Sequence, residues 1–363
     1  MSKLSRRRFL KYSSSLLALN AIGASSLSYS QTRKIGVALV GLGNYSERML
    51  APALLDCKHC ELRGIVTGSP QKIPKWQGKY GIKDKNIYSY ETMHEAANNP
   101  DIDVMYIVTP TSTHMKYALL AANAGKHVWC EKPMAMNTNE CQQIIDACDK
   151  NKVKLTISYR MQHEPNTIRF GAYAKSAPFG KIQSVFTRAG YAGRGFPEDN
   201  WRMKKDMGGG AMYDMGVYPL NGARYLTKME PIAISATHEK SHPDIFKEVD
   251  ETTYFTLEFA NGLTADCGTS VVKSFNKARV ECENGWYELK PMSEFTGVTG
   301  TTSAGEVFPA INKRQPTLQM DNDALAIIND TDVLVPGIEG MRDIHVVEGA
   351  FNSAAQNGKR ILL

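Results

Sequence analysis

Three side chains in this 363-residue sequence stand out for chemistry: Lys132, Asp214 and Tyr218. Lys132 lies in Cys130-Glu131-Lys132-Pro133, at the end of a β-branched and aromatic run. Asp214 and Tyr218 follow three glycines in Gly208-Gly209-Gly210-Ala211-Met212-Tyr213-Asp214-Met215-Gly216-Val217-Tyr218. An alcohol carbon that gives up a hydride must also give up the proton on its oxygen. Such a reaction therefore wants a proton relay at that oxygen, and a lysine can move the proton or polarise the carbonyl. A helix starting near Ala211 puts Asp214 and Tyr218 at i and i+4, on one face. A phenol and a carboxylate aimed at one point make such a relay. The glycines ahead of them let the chain approach a ligand closely. Tyr213 is off that face and is assigned to packing. Glu131 is expected to pair with Lys132, and Lys132–Pro133 is a candidate cis peptide. Read as spelling alone, the first segment also fits a surface Glu–Lys pair and the second an ordinary helix start with surface polar residues.

A hydride needs an acceptor, and the sequence offers a place for one. Gly41-Leu42-Gly43-Asn44-Tyr45-Ser46 follows an apolar run and opens a helical stretch, with a small serine in the third glycine position. In that context the first glycine allows the tight turn and the second lets a pyrophosphate reach the backbone at a helix N-terminus. Sites for NAD usually carry an acidic residue at the end of the second strand, for the ribose 2′-OH. Here the stretch is Val66-Thr67-Gly68-Ser69-Pro70-Gln71-Lys72, with no carboxylate. Thr67 and Lys72 suit a 2′-phosphate, so NADP is favoured over NAD. Thr109-Pro110 ends the third strand and belongs at the crevice. His114 either reaches the nicotinamide or caps its helix locally, and both readings stand.

These residues need strands and helices to hold them. Runs at 35–40, 62–68, 103–110, 126–133 and 153–159 alternate with helical stretches at 48–55, 113–124 and 138–150. Apolar strands separated by amphipathic helices imply a parallel sheet covered on both faces. After residue 159 the texture changes to helices at 164–177 and 211–226 with alternating runs such as TTYFTLEFANG and LTADCGTSVV. The fold class is α/β: a Rossmann dinucleotide-binding domain over 31–155, then a substrate and oligomerisation domain over 156–363 with an open, mainly antiparallel sheet. Residues 294–315 read as a long loop, and helices are expected at 322–329 and 340–357.

The first thirty residues read separately. SRRRFLK at 5–11, an apolar run and Ser28-Tyr29-Ser30 have the layout of a cleavable twin-arginine export signal over 1–30, which implies a periplasmic protein exported folded. That segment holds five of the 43 Lys and Arg and none of the 37 Asp and Glu, so the remainder has a formal charge of +1. Nothing there calls for nucleic acid as a partner. No run is long and apolar enough for a stable membrane anchor. Seven scattered cysteines do not make a disulfide framework. Cys57-Lys58-His59-Cys60 is half a zinc site with no second close Cys/His pair, so no metal is expected.

GLGNYS, AGKHVWCEKPM and GGGAMYDMGVYPLNGARYL, in this order and spacing, resemble the Gfo/Idh/MocA oxidoreductases, most closely the glucose–fructose oxidoreductase-like branch. The likeness runs from about Lys34 to the final helix. It implies catalysis by Lys132 and Tyr218 with Asp214 beside them; many members have histidine where Tyr218 stands. It also implies a 2′-phosphate held at Thr67 and Lys72, cofactor contacts from the Gly41–Tyr45 loop, Thr109, Pro110, Glu131 and Lys132, and a substrate cleft including Arg160, Trp201 and Arg202. Arg202 reads also as an ion-pair partner. The open sheet commonly forms the oligomer interface, which implies a homo-oligomer, dimer or tetramer. The expected activity is that of an NADP-containing sugar (aldose) oxidoreductase working by a ping-pong scheme with bound cofactor. The alternatives are a redox glycoside hydrolase using NAD, a sugar dehydrogenase with exchangeable NAD(P), and a non-enzymatic binding protein. One departure from the branch is the arm before the first strand, where only Gln31-Thr32-Arg33 separates the expected cleavage point from Lys34.

Overall fold

The computed structural model describes residues 33–193 and 196–363. The segment read as an export signal, with its expected cleavage point, lies outside the described residues. The first sheet contains β1 (Ile35–Val40), β2 (Cys60–Val66), β3 (Ile87–Tyr88), β4 (Val104–Ile107), β5 (His127–Cys130) and β6 (Leu155–Ile157). All are parallel, in the order β3-β2-β1-β4-β5-β6. All six residues of β1 are buried, as a strand covered on both faces requires. The strand order reverses between β1 and β4, which opens a crevice at the carboxyl ends of the strands. The edge strand β3 has only two residues, too few to show a period in the sequence. Helices α1 (Ala51–Leu55), α2 (Ile73–Tyr80), α3 (His114–Asn123) and α4 (Thr138–Lys150) cover the sheet. Asn137 caps α4 by accepting from the Glu140 N–H at 2.9 Å, and Glu140 accepts in return from the Met136 N–H.

The second sheet runs β14-β13-β12-β11-β7-β10-β9-β8-β15. Its strands are β7 (Ile182–Gly190), β8 (Pro231–Glu239), β9 (Thr252–Phe259), β10 (Thr264–Ser270), β11 (Phe275–Cys282), β12 (Gly285–Leu289), β13 (Gly300–Thr302), β14 (Val307–Phe308) and β15 (Ile361–Leu362). Only β7 and β10 pair in parallel. Helices α5 (Pro165–Ser176), α6 (Val217–Thr227) and α8 (Gly337–Ala355) pack on one face. Val185, Thr187 and Ala189 of β7 point into that core, while Ser184 and Phe186 face outward, the alternation of a sheet with one open side.

Two expectations change. The 294–315 loop contains β13 and β14, a pair at the sheet edge too short to be seen as alternation. The helix expected at 322–329 is α7 (Gln315–Ile328), and it starts earlier and reaches back to the first sheet. There Thr317 Oγ1 donates to the Ala53 carbonyl at 3.1 Å, and Asp321 Oδ1 accepts from the N–H groups of Lys58 and His59 at 2.8 and 3.0 Å. The same contact brings Asp321 within 4.8 Å of the Cys57 and Cys60 sulfurs, a third group that the sequence spacing could not show. The two thiols donate to the Ala53 and Met320 carbonyls at 3.3 and 3.6 Å, so the turn is locked by hydrogen bonds. All seven cysteines are buried and none is in a disulfide.

A buried charged cluster fixes α6 against α8. Arg224 bonds Asp343, Glu339 (3.0 Å) and Glu230 (2.7 Å), and the Asn221 side chain donates to Asp343 at 2.9 Å. Burial pushes the Asp343 carboxyl up to about 6, against the pull of Arg224. A charge this deep persists only because every oxygen has a partner.

Candidate active site

The glycine loop, the end of β5, and the segment before α6 meet at the crevice. They surround a cavity of about 620 Å³, within the size range of ligand sites. All sixteen sequence-selected residues line it: Gly41, Gly43, Asn44, Tyr45, Thr67, Lys72, Thr109, Pro110, His114, Glu131, Lys132, Arg160, Trp201, Arg202, Asp214 and Tyr218.

The cofactor end fits a dinucleotide. Gly41 has φ +100°, and a Cβ there would lie 2.7 Å from the Val108 carbonyl, so only glycine allows the turn. A Cβ on Gly43 would meet no protein atom within 4 Å, which leaves that face of the loop open for a pyrophosphate. Ser46, in the third glycine position, folds its hydroxyl back onto the Gly41 carbonyl at 2.6 Å. Thr67 is buried at the end of β2 and accepts from the Ser69 N–H, and Lys72 Nζ donates to the Leu42 carbonyl at 2.8 Å. The cation is thereby clamped between the second strand's turn and the glycine loop. His114 is buried, with Nδ1 2.9 Å from the Pro133 carbonyl and Nε2 2.8 Å from that of Thr109. Burial lowers its pKa, and the carbonyls oppose this. Both nitrogens face main-chain carbonyls, and the ring's N–H donates to one of them, bracing α3 against the turn that carries Lys132, so neither is left for the nicotinamide.

The reacting end is built around Lys132. The Lys132–Pro133 bond is cis. Lys132 Nζ donates to the main-chain carbonyl of Asp214 at 2.7 Å and lies 4.7 Å from the centre of the Tyr218 ring. The expected Glu131–Lys132 pair does not form. Glu131 turns into the protein, where it accepts from the Tyr106 hydroxyl at 2.8 Å. Burial raises its carboxyl to about 7, with Lys132 and then Tyr106 pulling the other way. Asp214 is held from two sides: Oδ2 accepts from the Tyr191 hydroxyl at 3.1 Å, and Oδ1 faces Arg202 Nε at 3.5 Å. Arg202 is thus an ion-pair partner inside the cleft, its guanidinium over the Trp201 ring at 4.3 Å. Arg160 is buried; it donates to the Ser293 and Glu294 carbonyls at 2.5 and 2.9 Å and lies 5.0 Å over the Tyr218 ring. It holds the 293–295 segment against the Tyr218 ring.

Asp214 and Tyr218 reach the same cavity by a different local geometry from the regular helix expected. Met212–Gly216 is a π-helical turn, and α6 starts only at Val217. The helix after the glycine loop likewise begins with a π-helical turn, Ser46–Leu50. Each is followed closely by a proline, Pro219 and Pro52. Proline has no N–H for the residue four back and its ring crowds that carbonyl, so the coil widens instead. Tyr213 packs as expected, stacked on Phe351 with its hydroxyl on the Met136 carbonyl.

The sequence reading missed Tyr191 and the second-sheet contributors Asn276, Ser293 and Phe295. Tyr191 sits just after β7 in an irregular polar stretch, with no motif around it. Burial and the Asp214 charge raise its pKa.

A family model described as "Oxidoreductase family, NAD-binding Rossmann fold" matches residues 35–159, and a "GFO/IDH/MocA C-terminal domain" model matches 172–288. Among solved structures, the aldose-aldose oxidoreductase from Caulobacter crescentus complexed with glycerol is 34% identical, with a TM-score of 0.86, covering 91% of this chain and 100% of that one. The scyllo-inositol dehydrogenase of Lactobacillus casei shares the fold, with a TM-score of 0.75 at 17% identity over 91% of this chain and 99% of that one. The D-xylose 1-dehydrogenase [NADP(+)] of Haloarcula marismortui is 26% identical over 332 residues, 87% of this chain and 90% of that protein. With both domain models matched and a relative spanned end to end above 30% identity, the chain belongs to the Gfo/Idh/MocA family of oxidoreductases.

Proposed function

We propose that this protein is an NADP-containing sugar (aldose) oxidoreductase. The observation that carries the reading is Lys132, anchored on the Asp214 carbonyl and lying over the Tyr218 ring, in the same cavity as an open glycine loop. The two relatives above, one acting on aldoses and one on D-xylose with NADP, support the substrate class and the cofactor. The nicotinamide, when bound, supplies the hydride acceptor and donor. Tyr218 takes the proton from a sugar hydroxyl, the anomeric one in this reading. The Lys132 ammonium stabilises the negative charge that develops on the reacting oxygen. Asp214, held by Tyr191 and Arg202, keeps Lys132 in place and lines the cleft beside Trp201. The residues through 155 hold the cofactor, and those from 156 on supply the cleft and, through the open face of the second sheet, a homo-oligomer contact.

The twin-arginine stretch supports export of the folded protein to the periplasm, and seven buried cysteines outside any disulfide accord with folding under reducing conditions beforehand. Outside the cytoplasm there is no NADP pool, so one site would serve two sugars in turn. Tyr218 receives a proton from the first, an alcohol, and returns it to the second, a carbonyl. Protein purified without added nucleotide should show reduced-nicotinamide absorbance when one aldose is added, and lose it on addition of a second sugar. Turnover only with added NADP would refute the bound-cofactor scheme and leave an ordinary dehydrogenase.

A further inference from the structure

A second cavity, about 760 Å³, lies along α8 and the β8–β15 end of the second sheet. The glycine run and π-turn form a thin wall between the two cavities: Gly209 and Tyr213 line this one, while Asp214 and Tyr218 line the active site. The wall is braced without any ligand. Tyr213 donates to the Met136 carbonyl at 2.7 Å, and its ring stacks on Phe351 with centroids 5.5 Å apart. His238 continues the row, 5.6 Å from Phe351.

His238 is held in one tautomer. Thr253 Oγ1 donates to Asp250 Oδ2 at 2.6 Å, and the Met212 N–H donates to the same oxygen at 2.8 Å. The threonine hydroxyl has one hydrogen, already given to the carboxylate, so at 2.8 Å from His238 Nδ1 it can only accept. Nδ1 therefore carries the proton, and Nε2 keeps its lone pair free to accept from a ligand. His238 is only partly buried at the surface, and that desolvation lowers its pKa, which favours this neutral ring.

Charge on the walls is mixed. Lys205 and Lys240 stand against Glu248, Asp250 and Glu348, so neither an anion nor a cation is selected. Lys240 Nζ is engaged by the Phe246 carbonyl at 2.8 Å, and both Glu348 oxygens accept from Thr138. An aromatic row with an acceptor fixed at His238 Nε2 and walls of mixed charge suits an uncharged ring with an apolar C–H face and hydroxyl donors. We propose that this cavity is a second carbohydrate site, separate from the redox site, in which a sugar ring stacks on Phe351 and a sugar hydroxyl donates to His238 Nε2.

The test uses the full chain and the methyl glycosides of glucose, galactose and xylose, whose anomeric oxygen is blocked against the oxidation proposed above. Binding is followed by saturation-transfer NMR titration, in the wild type, His238→Ala, Phe351→Ala and Lys132→Met. The expected result is a saturable component that survives Lys132→Met and is weakened about fivefold or more by His238→Ala and by Phe351→Ala. His238→Ala should keep wild-type kcat/KM for aldose oxidation, a separate readout that would expose failure of the redox reading instead. His238 is at the surface, so its variant stays informative if Phe351→Ala folds poorly. No saturable binding of any of the three glycosides, binding lost entirely in Lys132→Met, or binding that His238→Ala leaves untouched would overturn the proposal.

Discussion

Replacing Lys72 by alanine tests the cofactor assignment most directly. Lys72 ends the turn after β2, and its ammonium is fixed 2.8 Å from the Leu42 carbonyl of the glycine loop. Thr67 is buried beside it, and the stretch from Val66 to Lys72 has no carboxylate. A 2′-phosphate brings a charge of about −1.5 to −2 to this corner. A hydrogen bond to a charged group contributes about 1.5–3 kcal/mol. Lys72 is half-exposed, so screening puts the figure at the lower end, about 1.5–2 kcal/mol, or roughly 10–30-fold in Kd. NAD lacks the phosphate and loses only the brace on Leu42, a loss both cofactors share. The ratio of NADP to NAD affinity should therefore fall about 10–30-fold in Lys72→Ala. Titration of nucleotide-free protein with NADPH and NADH, followed by energy transfer from tryptophan, measures it. The wild-type preference should shrink as salt is raised, since the ammonium is open to solvent, and the variant should show no such dependence. Equal weakening of both cofactors, with unchanged salt behaviour, would mean that Lys72 acts only as a loop brace.

Three further outcomes follow from the geometry. Tyr218→Phe keeps the ring that Lys132 and Arg160 face, so nucleotide affinity should hold while kcat for aldose oxidation falls about 10²–10⁴-fold. Glu131 binds its proton up to about pH 7 in the folded chain, against 4.5 when free; between those values unfolding releases a proton, so stability falls as pH rises. The loss should be on the order of 3 kcal/mol across that window in urea titrations, and Glu131→Gln should flatten it. Arg224→Leu strands Asp343 in the core and should cost about 3–5 kcal/mol by the same method, with part recovered in the Arg224→Leu/Asp343→Leu double variant.

Much of the first domain was legible because its signals are local. β1 is apolar along its whole length, and the glycine loop follows it directly, so one short window states both strand and turn. The EKP lysine and the Gly-Gly-Gly segment were legible for the same reason. The partners of these residues were not. Glu131 and Lys132 are neighbours and opposite in charge, yet Tyr106 from β4 and the Asp214 carbonyl, 82 positions away, took them separately. His114 could be placed at a helix start but not assigned, because what decides it is two carbonyls that the fold brings to either side of the ring.

Local sequence sufficed for the alternation of strands and helices, the turn that only Gly41 can make, and the absence of a carboxylate after β2. These depend on the φ, charge and apolar pattern of residues close in the chain. Only the tertiary structure decided that Asp214 sits between Tyr191 and Arg202, that α7 brings Asp321 to the Cys57–Cys60 turn, and that a second cavity backs the glycine wall. Such facts rest on contacts between side chains tens to hundreds of residues apart, and a contact of that kind leaves no period or spacing to read. The π-turn before Tyr218 lies between the two cases: Pro219 is visible in the sequence, but how the helix absorbs it depends on the packing around it.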